Sequence, residues 1–355
     1  MRRIHMHRPA RSWGVLATVL CLCAAVFAWP AAAAGVSAQI YRVAVPVTDR
    51  SESSRMAGFQ AAMQIALVRA TGNRAAGTDP GFAPLVSAAD RYVQQYRYAP
   101  DGRLWVGFDG AAIERWLTNS GAPLWGRTRP LTYVLLTVAN GSSGSIVTAD
   151  QTSDLKTAIE AEADVRGIEL VWPTAADLTA AALDYPAALR ADPRALAPLA
   201  ARHGAEGVLI GHASDAGAAA GAQWVFEFDS QLGQASGPLA GVDLAADRYA
   251  ATFAVRGAYS PVGVSVAGVR DLADYARVQH LFESLTPVSR VAVTALHGDR
   301  VRFDLVVRGG AAPLQRTLAL NGELIEDGST SPTSGGSAGA VAGTAVPELR
   351  YRLRR

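Results

Sequence analysis

The chain has 355 residues, half of them apolar, with 33 basic residues, 31 acidic residues and two cysteines. That length and apolar content suffice for two or three domains with real cores, and the near balance of charge argues against holding nucleic acid by charge alone. Both cysteines, Cys21 and Cys23, fall within the first 34 residues, so the remainder can form neither a disulfide nor a thiolate metal site.

Residues 1–34 read as an export signal. Arg2, Arg3, Arg8 and Arg11 form a positive leader, an apolar run covers residues 13–29, and Ala31, Ala32, Ala33 and Ala34 follow Pro30 as a small-residue cleavage patch. The apolar run is at the short edge of a membrane span, so the expectation is cleavage near Gly35, a periplasmic product of a Gram-negative bacterium and no stable membrane anchor. Cleavage takes four of the 33 basic residues and no acidic one, leaving a net charge of about −2. Lys156 is the only lysine.

In chain order, residues 39–46 alternate and are rich in β-branched side chains, which predicts a strand. Asp49, three residues before Glu52, fits a capping box. Met56, Phe59, Met63, Leu67 and Ala70 then share a helical face that ends at Gly72. Residues 92–98 and 104–108 read as strands joined at Asp101-Gly102, and residues 111–117 as a helix. In the middle, residues 131–138 are a continuous apolar strand, 152–165 a helix and 168–172 a strand. Two helices, at 175–183 and 193–203, precede strands at 208–210 and 224–228, and a helix spans 243–255. Near the C-terminus, residues 262–269 read as a strand, followed by a helix capped by Asp271. Strands at 288–296 and 301–307 turn at Gly298-Asp299, and a helix covers 314–320. Residues 348–353 alternate like an edge strand.

The expected fold is therefore a multidomain α+β and α/β chain. Two small ferredoxin-like βαββα units, at 38–122 and 260–325, flank a three-layer α/β domain at 130–240, with a flexible Gly/Ser loop at 328–344.

Catalytic chemistry is sparse. His203, His212, His280 and His297 lack partners at metal-ligand spacing, so no cofactor or metal is expected. Gly335, Ser337 and Gly339 fit the hydrolase elbow pattern, but in low-complexity sequence without the strand and helix that an elbow needs. His212 follows a buried strand, and residues 140–145 read as a flexible βα loop. Together they offer the alternative of a hydrolase or small-ligand crevice. Two clusters stand out: Arg69 with Arg97, and Trp125 with Arg129 between Pro123 and Pro130. Arg and Trp are typical interface anchors. The same residues also suit a structural junction, with Trp125 buried between domains and Arg129 on helical carbonyls.

The ordered string of Pro46, Leu67-Val68-Arg69-x-Thr71-Gly72, Gln95-Tyr96-Arg97-Tyr98, Phe108-Asp109 and Pro123-x-Trp125-Gly126-x-x-Arg129-Pro130 resembles a family of proteobacterial exported proteins known as domain of unknown function 2066. The resemblance spans about residues 38–320 and implies an envelope location, with no activity or catalytic residue to carry over. The stretch from His203 to Gly211 resembles, at the level of fold, α/β domains of outer-membrane assembly factors such as curli-secretion lipoproteins. The functional expectation is a non-catalytic interaction or envelope-assembly protein with a periplasmic or envelope protein partner.

Overall fold

The architecture is mixed α/β. In this computed structural model, residues 40–141, 143–217, 219–327 and 347–354 are described. The expected signal at 1–34, the expected loop at 328–344 and the Gly335–Gly339 pattern lie outside them. Sheets of three, six and five strands, with one two-stranded pair, belong to a single compact unit.

The first sheet is built from β1 (Arg42–Val45), β2 (Val93–Tyr98) and β3 (Leu104–Phe108), in the order β1–β3–β2 and antiparallel throughout. One helix, α1 (Glu52–Thr71), lays Phe59, Met63, Ala66 and Leu67 on one face of it, against Val43, Val45, Leu104 and Val106. The cap of α1 corrects the expected Asp49–Glu52 box. Ser51 is the N-cap and accepts from the Ser54 amide, while Asp49 accepts from the Ser51 amide at 2.8 Å. A hydroxyl two residues closer to the helix supplies the acceptor that the first-turn amides need. The other end is as expected: Gly72 takes φ 72°, and a Cβ there would lie 2.4 Å from the Ala250 Cβ and 2.9 Å from the Trp125 ring. Only glycine meets both demands. Residues 74–92 form short 3-10 turns and α2 (Ala83–Ser87), which the sequence did not announce. The helix α3 (Gly110–Asn119), capped by Asp109, leads to β4 (Leu124–Trp125).

The six-stranded sheet follows. Its strands are β5 (Leu131–Asn140), β6 (Ser143–Ile146), β7 (Glu169–Val171), β8 (Gly207–Ala213), β9 (Ala222–Phe228) and β10 (Gln231–Ser236), in the order β10–β9–β8–β5–β6, with β7 also on β5. β5 pairs in parallel with β7 and β8. On one face lie α4 (Asp154–Arg166) and α8 (Ala240–Phe253), through Leu155, Ile159, Val242 and Tyr249. On the other lie α5 (Ala175–Ala180), α6 (Tyr185–Ala188) and α7 (Pro193–Arg202), through Ala188, Leu196 and Leu199. A sheet covered on both faces explains why β5 is apolar at nearly every position. The expected helix at 243–255 instead spans α8, and its last two residues become β11 (Ala254–Val255), paired with β4.

The last sheet comprises β12 (Tyr259–Ala267), β13 (Val288–His297), β14 (Arg300–Arg308), β15 (Leu324–Glu326) and β16 (Glu348–Leu353). One face is covered by α9 (Leu272–Ser284) and α10 (Ala311–Asn321). Its order is β13–β14–β12–β16–β15. The first three strands repeat the order of the first sheet, with the strand after the hairpin in the centre. Neither sheet has the four strands of the ferredoxin-like expectation: one has three, the other five. Residues 348–353 are not an edge strand. β16 lies between β12, to which it is parallel, and β15, to which it is antiparallel. Tyr351 and Leu353 on β16 are buried, and that burial is what holds the strand inside the sheet.

Candidate functional site

The candidate residues separate into two places. Arg69, Trp125 and Arg129 meet in a buried junction, whereas Arg97 stands on an exposed sheet face. Arg69 is in the last turn of α1, where the helix puts it against α4 across a long sequence separation. Its Nε donates to the Asp164 carbonyl at 2.7 Å, its Nη1 to the Arg42 carbonyl at 2.9 Å, and its Nη2 pairs with the Asp164 carboxylate at 2.7 Å. Trp125 is 1% exposed. The Arg129 guanidinium sits 3.6 Å from the centre of the Trp125 ring, and its Nη2 donates to the carbonyls of Arg69 and Trp125 at 2.7 and 3.3 Å. The connector between Pro123 and Pro130 thus folds back on the C-terminal end of α1.

Arg166, which the sequence did not single out, completes the junction. It is 1% exposed. It pairs with Asp243 at 2.7 Å and with Asp247, and donates to the Gly72 carbonyl at 3.3 Å. Arg74 joins through Asp243 at 2.6 Å and through Glu162. The acids lie more than seventy residues from Arg166 in sequence, so the only local signal was an arginine just before the helix-ending Gly167. On the far side, Arg308 is also buried and donates to the Ala122 and Gly257 carbonyls at 2.8 and 3.3 Å, fastening β14 to the connector.

Lys156 also has a built environment. Its ammonium donates to the carbonyls of Thr148, Ala149 and Gln151 at 3.0, 2.9 and 2.8 Å and lies 5.2 Å from the Trp172 ring centre. Three converging carbonyls suit a compact ammonium with three rotatable donors, not a planar guanidinium, which accounts for the single lysine in an arginine-rich chain.

Arg97 is exposed on β2. The register sets Arg42, Gly107 and Gln95 in one row across the sheet and Ala44, Trp105 and Arg97 in the next. This face is the one opposite α1. Arg97 stacks over the Trp105 ring at 5.0 Å, and Arg42 and Gln95 are exposed beside it. A cleft of about 160 Å³ opens at one end, lined by Tyr41, Arg42, Gln95 and Arg127. Burial, with Glu114 nearby, pushes the Tyr41 phenol well above its ordinary value and keeps it neutral.

His212 lies on β8 with its Nδ1 2.7 Å from the Thr137 hydroxyl, and burial lowers its pKa. The βα loop expected at 140–145 is not one: β5 pairs antiparallel with β6, Asn140 facing Ser143, and Gly141 takes φ 61°, while the Gly144 backbone is closed over by the Tyr185 ring. His203 caps α7, where its Nε2 meets Asp177 at 3.0 Å. Among the described residues, no group of three or more His, Cys, Asp or Glu side chains is arranged to hold a metal ion, and no helix is long and apolar enough to cross a membrane.

Residues 34–126 match the family described as a domain of unknown function, DUF8605. This corrects the resemblance to domain of unknown function 2066. Pro46, Thr71-Gly72 and Trp125-Gly126 mark a strand end, a helix cap and the end of a short buried strand, features that unrelated α/β folds share and that therefore do not identify one family. The match takes in the first sheet, Arg69, Arg97 and Trp125, and ends before Arg129. No curated protein matches the chain.

Proposed function

We propose that the chain is a non-catalytic interaction or assembly protein of the bacterial envelope, acting in the periplasm without a membrane anchor, and that the uncovered face of the first sheet holds an acidic segment of a protein partner. The observation that carries this reading is the exposed Arg97–Trp105 stack, flanked by Arg42 and Gln95 on a face whose two central rows bear no carboxylate. Arginine and tryptophan are the side chains from which interface energy is most often drawn, and two arginines without an acid in these rows favour an anionic partner. The periplasmic location is supported by the signal-like pattern of residues 1–34. The shared strand order of the flanking sheets supports reading both as variants of a ferredoxin-like unit, one shortened and one extended.

A photo-crosslinking residue in place of Gln95, in cells exporting the full chain, tests the reading. The expected result is one dominant adduct, lost in Arg97→Ala and at high salt, whose crosslinked peptide is rich in Asp and Glu. An adduct pattern that is unchanged by Arg97→Ala, or equal to that from a crosslinker on α9, overturns it.

A further inference from the structure

We propose, resting on the docking reading above, that the acidic partner segment binds as an added strand along the free edge of β2, between arginines on both sides of the sheet.

β2 is the outer strand of its sheet and pairs with β3 alone. That pairing fixes which of its main-chain groups look outward. The Phe108 amide donates to the Tyr41 carbonyl at 2.9 Å, toward β1. By the two-residue alternation of an antiparallel ladder, Val106 and Leu104 also bond to β1, while Trp105 and Gly107 bond to β2. Their partners across the pair are Arg97 and Gln95. At the turn the Ala99 amide donates to the Arg103 carbonyl at 2.8 Å, in the same phase. The amides and carbonyls of Tyr96 and Tyr98 therefore point away from β3, to the open edge. Such a row is a template for another strand. The bulge between Val93 and Gln95 interrupts only the start of β2, and residues 95–98 contain neither the proline nor the lysine that commonly blunts an edge.

The side chains along this edge define the occupant. On the face opposite α1 stand Gln95 and Arg97, with Arg97 over Trp105. On the α1 side stand Tyr96 and Tyr98. The Arg55 guanidinium lies 5.7 Å from the Tyr96 ring centre, and that of Arg50 lies 5.0 Å from the Tyr98 ring centre. Phe59 packs edge-on against Tyr96, which is still 47% exposed. Among the described residues, none of Arg50, Arg55 and Arg97 is paired with a carboxylate. An added strand sends successive side chains to opposite faces, so acids at neighbouring positions meet Arg97 on one side and Arg50 or Arg55 on the other. A second copy of β2 has no carboxylate and leaves all three cations unmet.

The test uses cells exporting the full chain with the photo-crosslinker in place of Gln95, and then the purified adduct. Arg50→Ala combined with Arg55→Ala, on the α1 side, is expected to lower the adduct about three- to tenfold. A segment lying flat on the opposite face does not touch either residue. Amide hydrogen exchange, read residue by residue, is expected to be slower in the adduct than in the free chain by about tenfold or more at Tyr96 and Tyr98. Arg97, already bonded to β3, should change little. Tyr96 and Tyr98 amides that exchange alike in adduct and free chain overturn edge addition. If that adduct is still lost in Arg97→Ala, docking on the open face stands; an adduct indifferent to Arg97→Ala overturns both readings.

Discussion

Two arginine–tryptophan stacks on this chain have the same chemistry and opposite surroundings. Arg129 over Trp125 is closed to solvent at 3.6 Å; Arg97 over Trp105 is open at 5.0 Å. The buried pair joins the C-terminal end of α1 to the connector that leads into β5. The open pair decorates a strand that would keep its hydrogen bonds without it. Residue type therefore does not assign a role. Desolvation does, because a cation–π contact is worth about 2 kcal/mol or more when dry and about 0.5–1 kcal/mol in water.

The comparison breaks first, and most strongly, at the buried ring. Trp125→Ala is expected to cost about 3–5 kcal/mol in urea unfolding, whereas Trp105→Ala should cost under about 1 kcal/mol. Equal losses would show that both rings are structural. Arg166→Met comes next. It takes their buried partner from Asp243, which keeps Arg74, and from the exposed Asp247, and leaves the Gly72 carbonyl unmet, so about 2–3 kcal/mol should be lost by the same measurement. A change of less than about 0.5 kcal/mol would show that solvent and Arg74 serve those acids as well as Arg166 does.

Lys156 sharpens the contrast between a cation that is fully served and one that is not. Lys156→Arg should cost about 1–3 kcal/mol, since a planar fork cannot reach three converging carbonyls. A variant as stable as the parent would show that the loop at 148–151 adapts. A smaller effect belongs to the half-exposed pair of Asp177 and His203. The hydrogen bonds from Thr174, then the contact with His203, hold Asp177 down at about 2. A depressed acid stabilises the fold above its unfolded value and loses that contribution as pH falls through the folded one. Unfolding free energy should therefore drop between about pH 4 and pH 2, and Asp177→Asn should flatten that slope by about 1 kcal/mol after solvent screening. The smallest stability effect is expected at the open face: Arg97→Ala should stay within about 0.5 kcal/mol of the parent while abolishing the Gln95 crosslink.

Much of the local structure was readable from short windows. The Gly72 cap, the Asp101-Gly102 turn with Gly102 at φ 83°, the Asp271 cap and the apolar run of β5 all appear where their residues place them. Residues 74–92 were not readable, since short 3-10 turns have no periodicity to detect. The β5–β6 hairpin was missed because a Gly/Ser-rich segment reads as loop until Ile146 has a core to enter. Of the candidate site, the burial of Trp125 and the use of a last-turn carbonyl by Arg129 were legible from the two prolines and the helix end. Arg97 carried the same signature as Arg69 and went to the opposite environment.

By itself the sequence determined caps, turns, the alternation of strands and the apolar helix faces, because each is set by a handful of neighbouring residues and the geometry of one turn or one pleat. Only the tertiary structure decided which arginines are dry. Arg166 finds Asp243 and Asp247, Arg69 finds Asp164, and β16 finds the edge of β12, each across a long stretch of chain. Desolvation is a property of the surfaces that meet around a side chain, and no local window contains both.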